Sequence, residues 1–128
     1  MIYELSIEDF TRYTVRQVEE LGNVTLSNPD TEEKFPVSVI SNPMQSIKRT
    51  ENNIPILTRL SITVEHWTNS KYESMRLFQE TNKLLRKSNF AQIGSPIDIY
   101  DEITKKHRYG GRYEVNYNGL TNSFERII

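Results

Sequence analysis

Apolar and small side chains recur at spacings of three and four near the start of the chain, at Ile7, Phe10, Thr14, Val18 and Leu21. That spacing predicts a helix over 6–21 with one buried stripe, which Ile2 and Leu5 extend towards the N-terminus. Ser6 stands where a side chain can accept from the backbone near Asp9, Glu8 and Asp9 suit the positive end of the helix, and Gly22 with Asn23 offers a stop. A period of two replaces this pattern at 54–67. Ile54, Ile56, Thr58, Leu60, Ile62, Val64 and His66 alternate with Leu57, Arg59, Ser61, Thr63, Glu65 and Trp67. One face is apolar and the other mixed, which predicts a long strand inside an antiparallel sheet with one wet or partner-facing side. Ser70 and Glu73 then form a capping-box pattern ahead of Ser74, Leu77, Phe78, Thr81, Leu84, Leu85 and Ser88, so a second helix is expected over 70–88. Lys83, Arg86 and Lys87 complement the negative end of its dipole.

Shorter patterns fill in the rest. Val24 to Leu26 reads as a short strand, and Ser27-Asn28-Pro29-Asp30 as a turn built on local side-chain bonding and restricted φ. A strand is expected at 35–40, with Pro36 at its start or on an edge because proline has no donor. Ser41 to Pro55 holds two prolines and three asparagines beside Lys48-Arg49, which reads as a long loop of the mobile or functional kind. Two more strands are expected at 97–103 and 112–117, with Gly110-Gly111 between them as a hairpin turn or a bulge. The tail after Gly119 reads as a short strand or a frayed end. The expected architecture is one α+β domain over 1–128, a mostly antiparallel sheet of about four to five strands covered by two helices in the order α-β-β-β-α-β-β.

Composition narrows the function without naming it. The 128 residues carry 16 basic and 17 acidic side chains, a net charge of -1, so the strongly basic signature of an autonomous DNA-binding domain is absent. Residues 1–64 hold 6 basic and 9 acidic groups and residues 65–128 hold 10 and 8, a small asymmetry that belongs to the surface. A mean hydropathy of -0.62 and the lack of a long apolar run speak against a membrane protein. The start carries Glu4, Glu8 and Asp9 and no basic-then-apolar pattern, so the expectation is a protein made and kept in the cytosol. With no cysteine and only two histidines, His66 and His107, a structural zinc site, disulfides and thiol catalysis are excluded.

Catalytic signatures do not emerge. The chain contains no P-loop, no G-x-G-x-x-G, no G-x-S-x-G and no H-E-x-x-H. Asp98, Asp101 and Glu102 are close in sequence, but strand alternation sends Asp98 and Asp101 to opposite faces, so they read as solvated turn residues and no metal or cofactor is expected. His66 at the end of the apolar face is expected to be packed and hydrogen-bonded, and His107 in a basic turn to be exposed. Trp67 is expected to plug the core, with an interface anchor as the alternative. Lys105, Lys106, Arg108 and Arg112 interleave with Tyr109 and Tyr113, the residue types with which a protein neutralises phosphate and stacks on bases.

The run Leu60-Ser61-Ile62-Thr63-Val64-Glu65-His66-Trp67, the following Thr68-Asn69-Ser70-Lys71, and the helix ending Leu84-Leu85-Arg86-Lys87-Ser88-Asn89-Phe90 resemble the tail terminator or tail-completion proteins of long-tailed bacteriophages. Ile99-Tyr100-Asp101-Glu102, Lys106-His107-Arg108 and Arg112-Tyr113-Glu114-Val115 are similar to the last two strands of that group, and Phe35-Pro36-Val37-Ser38-Val39-Ile40 with Asn52-Asn53-Ile54 to its earlier part. The resemblance runs from about Phe35 to Tyr117 and rests on residue classes rather than on a catalytic signature. It implies a non-enzymatic virion protein, a homo-oligomer forming a hexameric ring on the finished tail tube. The ring would join the tube to the head connector or stopper protein, with genome DNA passing transiently through the pore. The implied location is the virion neck, after assembly in the host cytoplasm, with no membrane partner. Lys48, Arg49, Lys105, Lys106, Arg108 and Arg112 are then the candidate interface or pore-facing residues. The alternatives are another neck component, such as a head-completion or adaptor protein, and a small nucleic-acid-binding module using the 105–113 segment.

Overall fold

The computed structural model describes residues 1–31 and 33–127. Helix α1 (Ile7–Val18) is followed by a 3₁₀ turn (Glu19–Leu21) and a short strand β1 (Asn23–Thr25). Strands β2 (Val37–Glu51) and β3 (Ile54–Thr68) form a long hairpin, helix α2 (Lys71–Arg86) follows, and β4 (Ala91–Asp101), β5 (Lys106–Asn118) and β6 (Ser123–Glu125) complete the chain. The six-stranded sheet has the order β1-β2-β3-β5-β4, antiparallel except where β1 lies parallel to β2, and β6 also pairs with β5. This is the expected α+β class with both expected helices.

The helices begin where their caps predict. Ser6 Oγ accepts from the Asp9 N–H at 3.0 Å, and Ser70 Oγ from the Glu73 N–H at 3.1 Å, so each hydroxyl satisfies one backbone donor that the first turn leaves open. Phe10, Thr14 and Val18 on α1, and Ser74, Leu77, Phe78, Thr81 and Leu85 on α2, are the buried positions at helical spacing. Both stripes rest on one face of the sheet. There Ile40 of β2, Leu60, Ile62 and Val64 of β3, and Tyr113, Val115 and Tyr117 of β5 meet them in a single cluster. Burying each such side chain contributes roughly 1.5–3 kcal/mol, which makes this layer the main source of stability. The other face carries a smaller cluster of Val37, Val39 and Trp67, with Phe35 packed against it.

Two expectations about the strands are corrected. Residues 41–55 are not a loop: β2 continues through them to Glu51 and turns at Asn52-Asn53 into β3. The two asparagines have φ of 51° and 64°, the left-handed conformation that a two-residue hairpin needs at both positions. Pro43 is accommodated because the register jumps from Ser41↔Thr63 to Met44↔Ser61, so its missing donor falls at a bulge, beside Asn42 with φ 52°.

Gly110-Gly111 is not a turn either. Both glycines lie inside β5, opposite Glu65 and Val64 of β3, and the chain reverses at 102–105. Asp101 accepts there from the Thr104 N–H at 2.8 Å and its hydroxyl at 2.7 Å, bonds that hold the carboxyl below its usual range, and Lys105 takes a φ of 57°. The glycines serve close approach instead. A Cβ on Gly111 would stand 2.9 Å from the Phe78 ring, and one on Gly110 only 2.0 Å from the Val64 carbonyl oxygen.

Candidate assembly surfaces

Strand alternation divides the chemistry of β3 and β5 between two faces. His66, Tyr109 and Tyr113 turn towards the helices, while Glu65, Trp67, Arg108 and Arg112 turn away, as the pairings His66↔Tyr109, Glu65↔Gly110 and Trp67↔Arg108 require. The basic and aromatic residues of 105–113 therefore do not form one mixed surface. Tyr113 is 1% exposed, its hydroxyl donates to Asn82 Oδ1, and burial raises its pKa. Tyr109 meets the Phe78 ring edge-on at 5.3 Å. Tyr113 offers no free face for a base to stack on, and Tyr109 is half-buried against the helix-side core.

His66 is fully buried between two hydroxyls, with Ser38 Oγ 2.7 Å from Nδ1 and Thr81 Oγ1 3.0 Å from Nε2. This is the packed, hydrogen-bonded residue that its position predicted. Burial lowers its pKa to about 4, and hydroxyls rather than carboxylates flank the ring. His107 differs from expectation: it is half-buried, edge-on to Tyr100 at 5.1 Å. Asp98 pairs with Lys71 Nζ at 2.8 Å and Asp101 caps its own turn, so the two carboxylates act separately.

On the open face, Arg108 lays its guanidinium over Trp67 at 4.6 Å and donates to Glu65 through Nε at 2.9 Å and Nη2 at 3.2 Å. Trp67 is 2% exposed and fills this layer, although its Nε1 is buried without an acceptor among the described residues. Arg112 donates to Ser61 Oγ at 2.7 Å, and Arg59 to Asn116 Oδ1 at 2.9 Å. Removing Glu65 would leave Arg108 partly desolvated without its counter-charge. Glu65→Ala is expected to cost about 2 kcal/mol in chemical denaturation, less than for a fully buried pair because Arg108 remains in contact with water. Arg108→Leu combined with Glu65→Leu should recover much of that loss, whereas two independent, additive losses would show that the pair is not coupled.

The six candidate cations do not converge. Lys48 and Arg49 are exposed near the tip of the β2–β3 hairpin, Lys105 is exposed at the β4–β5 turn, and these sites lie at opposite ends of the sheet, since β3 pairs Leu57 with Asn118 and Thr68 with His107. Lys106 sits over the Phe35 ring at 4.8 Å, and Arg108 and Arg112 are held within the open face.

The sheet margins carry features that the sequence did not disclose. Beyond the three residues paired with β1, no strand among the described residues lies outside β2 from Ile40 to Glu51, and none lies outside β4. Met44, Ile47 and Ile54 are exposed on the hairpin, and Ile99 and Tyr100 on β4 with Ile103 in the turn beyond it. The hairpin margin adds Lys48, Arg49 and Glu51, and the β4 margin adds Asp98, paired with Lys71, and Asp101, with Glu102 and Lys105 in the turn beyond. Exposed apolar side chains beside unpaired backbone form a chemistry of association. No protein-family model matches the chain, and no curated protein matches its sequence.

Proposed function

We propose that this protein is a structural component of a phage neck, a ring at the head-proximal end of the tail tube that ends tube growth and joins tail to head. The observation that supports it is the pair of unpaired sheet margins, one on β2 and one on β4, together with the family resemblance in β3, α2 and β5. A strand margin gains main-chain hydrogen bonds when it pairs with another chain. When two different margins pair head to tail and the rotation closes, the product is a ring rather than a filament. Apolar Met44 and Ile47 on one margin and Ile99 on the other would be covered in the same contact. In this reading the chain acts by shape and association, not by catalysis, and genome DNA is a passenger in the pore.

Electron microscopy of the purified protein, alone and mixed with tail tubes, tests the proposal. Closed rings that cap one end of the tube are the expected result. A protein that stays monomeric at high concentration and leaves tube ends bare overturns it. Rings that bind the portal side of the neck instead of the tube identify an adaptor or head-completion protein.

A further inference from the structure

The chain has a second feature that the association surfaces do not use. Because β3 occupies one side of β5 along 107–118, β4 (paired with 106–114) and β6 (paired with 116–118) lie end to end along the other side. Where β6 stops and β4 starts, the sheet margin opens into a cleft of about 610 Å³ at the C-terminal end of α2. Asn82 and Arg86 of the helix, Gln92 of β4 and Arg126 beyond β6 line it, with Phe90 and Ile127 as its apolar surfaces.

Two polar side chains that line this cleft are held by hydrogen bonds. Tyr113 donates to Asn82 Oδ1, so the Asn82 amide is held with its Nδ2 donor available. Gln92 Nε2 donates to the Ile93 and Gly94 carbonyls at 3.3 and 2.8 Å, so Gln92 lines the cleft without offering a donor to it. Among the described residues neither Arg86 nor Arg126 makes a side-chain hydrogen bond or an ion pair, so both guanidinium groups are available to a ligand. The helix end would ordinarily oppose an anion, since its free carbonyls are negative. Here those carbonyls are occupied: Leu84, Leu85 and Arg86 accept from the N–H groups of Lys87, Ser88 and Asn89 at 3.0–3.3 Å, and Phe90 N–H also reaches Leu85. Arg86 and Arg126 add two positive charges at this end of the helix.

We propose that this cleft is an oxyanion site, taking a phosphate or carboxylate group between Arg86 and Arg126 with its organic stem against Phe90 and Ile127. Planar guanidinium groups match both oxyanions through paired N–H donors, and Asn82 Nδ2 supplies a neutral donor that fixes orientation. The site lies at the start of β4, at the other end of that strand from the exposed Ile99 and Tyr100.

The test is a titration of the isotope-labelled full chain with inorganic phosphate and, separately, with glutarate at constant ionic strength, read by NMR at the Asn82 and Gln92 side-chain amides and the arginine Nε groups. Saturable shifts confined to these groups are expected. Arg86→Gln or Arg126→Gln should weaken binding about tenfold, the loss of one charged hydrogen bond, while Lys87→Gln next to the cleft changes it less than about twofold. Both arginines are exposed, so the variants keep the fold, which the remaining amide spectrum verifies. Tighter binding of phosphate identifies a phosphate ester as the natural ligand class, and tighter binding of glutarate an organic acid. Shifts that do not saturate with either anion, or equal weakening by Lys87→Gln, overturn the site.

Discussion

Gly110→Ala is expected to abolish cooperative folding or to remove at least about 4 kcal/mol of stability, the range reserved for changes that the native backbone cannot absorb. The added methyl would lie 2.0 Å from the Val64 carbonyl oxygen and 2.6 Å from the Glu65 Cα, and both are main-chain atoms of β3 in the middle of the sheet. Neither can swing aside as a side chain would. Relief requires β5 to separate from β3, which breaks the ladder between Val64↔Gly111 and Glu65↔Gly110 and disturbs the Glu65–Arg108 pair built on it. Gly111→Ala is a sharper control than a distant mutation. Its methyl meets the Phe78 ring at 2.9 Å, a side chain that can shift, so a smaller loss is expected at the adjacent position. Urea denaturation of both variants measures the difference, and a Gly110→Ala loss below about 1 kcal/mol would mean that the strands are not held as close as described.

The second large effect is acid destabilisation through His66. In the unfolded chain the ring binds a proton near its ordinary value of 6.5, whereas in the folded protein it stays neutral until about 4 because the charged form would be buried without water. Between those values the unfolded state holds more protons, so stability falls as the pH is lowered from about 6.5 and levels off below about 4. The full shift corresponds to roughly 3 kcal/mol. Ser38 and Thr81 are hydroxyls and Tyr109 is the cross-strand neighbour, so no carboxylate among these contacts rescues the cation. Denaturation curves at pH 7 and pH 4.5 for the wild type and His66→Gln isolate the term. The variant should start less stable but lose less over that interval, and an equal loss in both proteins would assign acid sensitivity to other groups.

How far these features could be read in advance depended on whether their causes were local. Ser6 and Ser70 announced their helices because a cap bonds a donor three residues away. The strand at 54–67 was plain because its alternation survives any tertiary arrangement, and the burial of His66 followed from its place in that alternation. Asn52-Asn53 was misread because asparagine serves a loop and a two-residue turn equally well. Pro43 looked like an interruption of the strand until the bulge gave it a place. Gly110 and Gly111 have meanings supplied wholly by Val64, Glu65 and Phe78, which are distant in sequence. The same holds for Arg86 and Arg126, whose shared cleft exists only because β6 ends where β4 begins. The resemblance carried the functional expectation, while which strands form the unpaired margins became visible only with the strand order.

The interruptions of β2 also bear on what kind of particle the chain can build. Register shifts between Ser41 and Met44, between Ile47 and Arg49 and between Arg49 and Thr50, so the outward backbone of this strand is cut into short stretches that do not template a continuous ladder. An incoming segment can match one stretch, or two if it carries a compensating kink, but an arbitrary extended peptide cannot zip along the whole length. The irregularities thus act as a key: they disfavour runaway fibre growth while leaving a mate of the right contour free to seat.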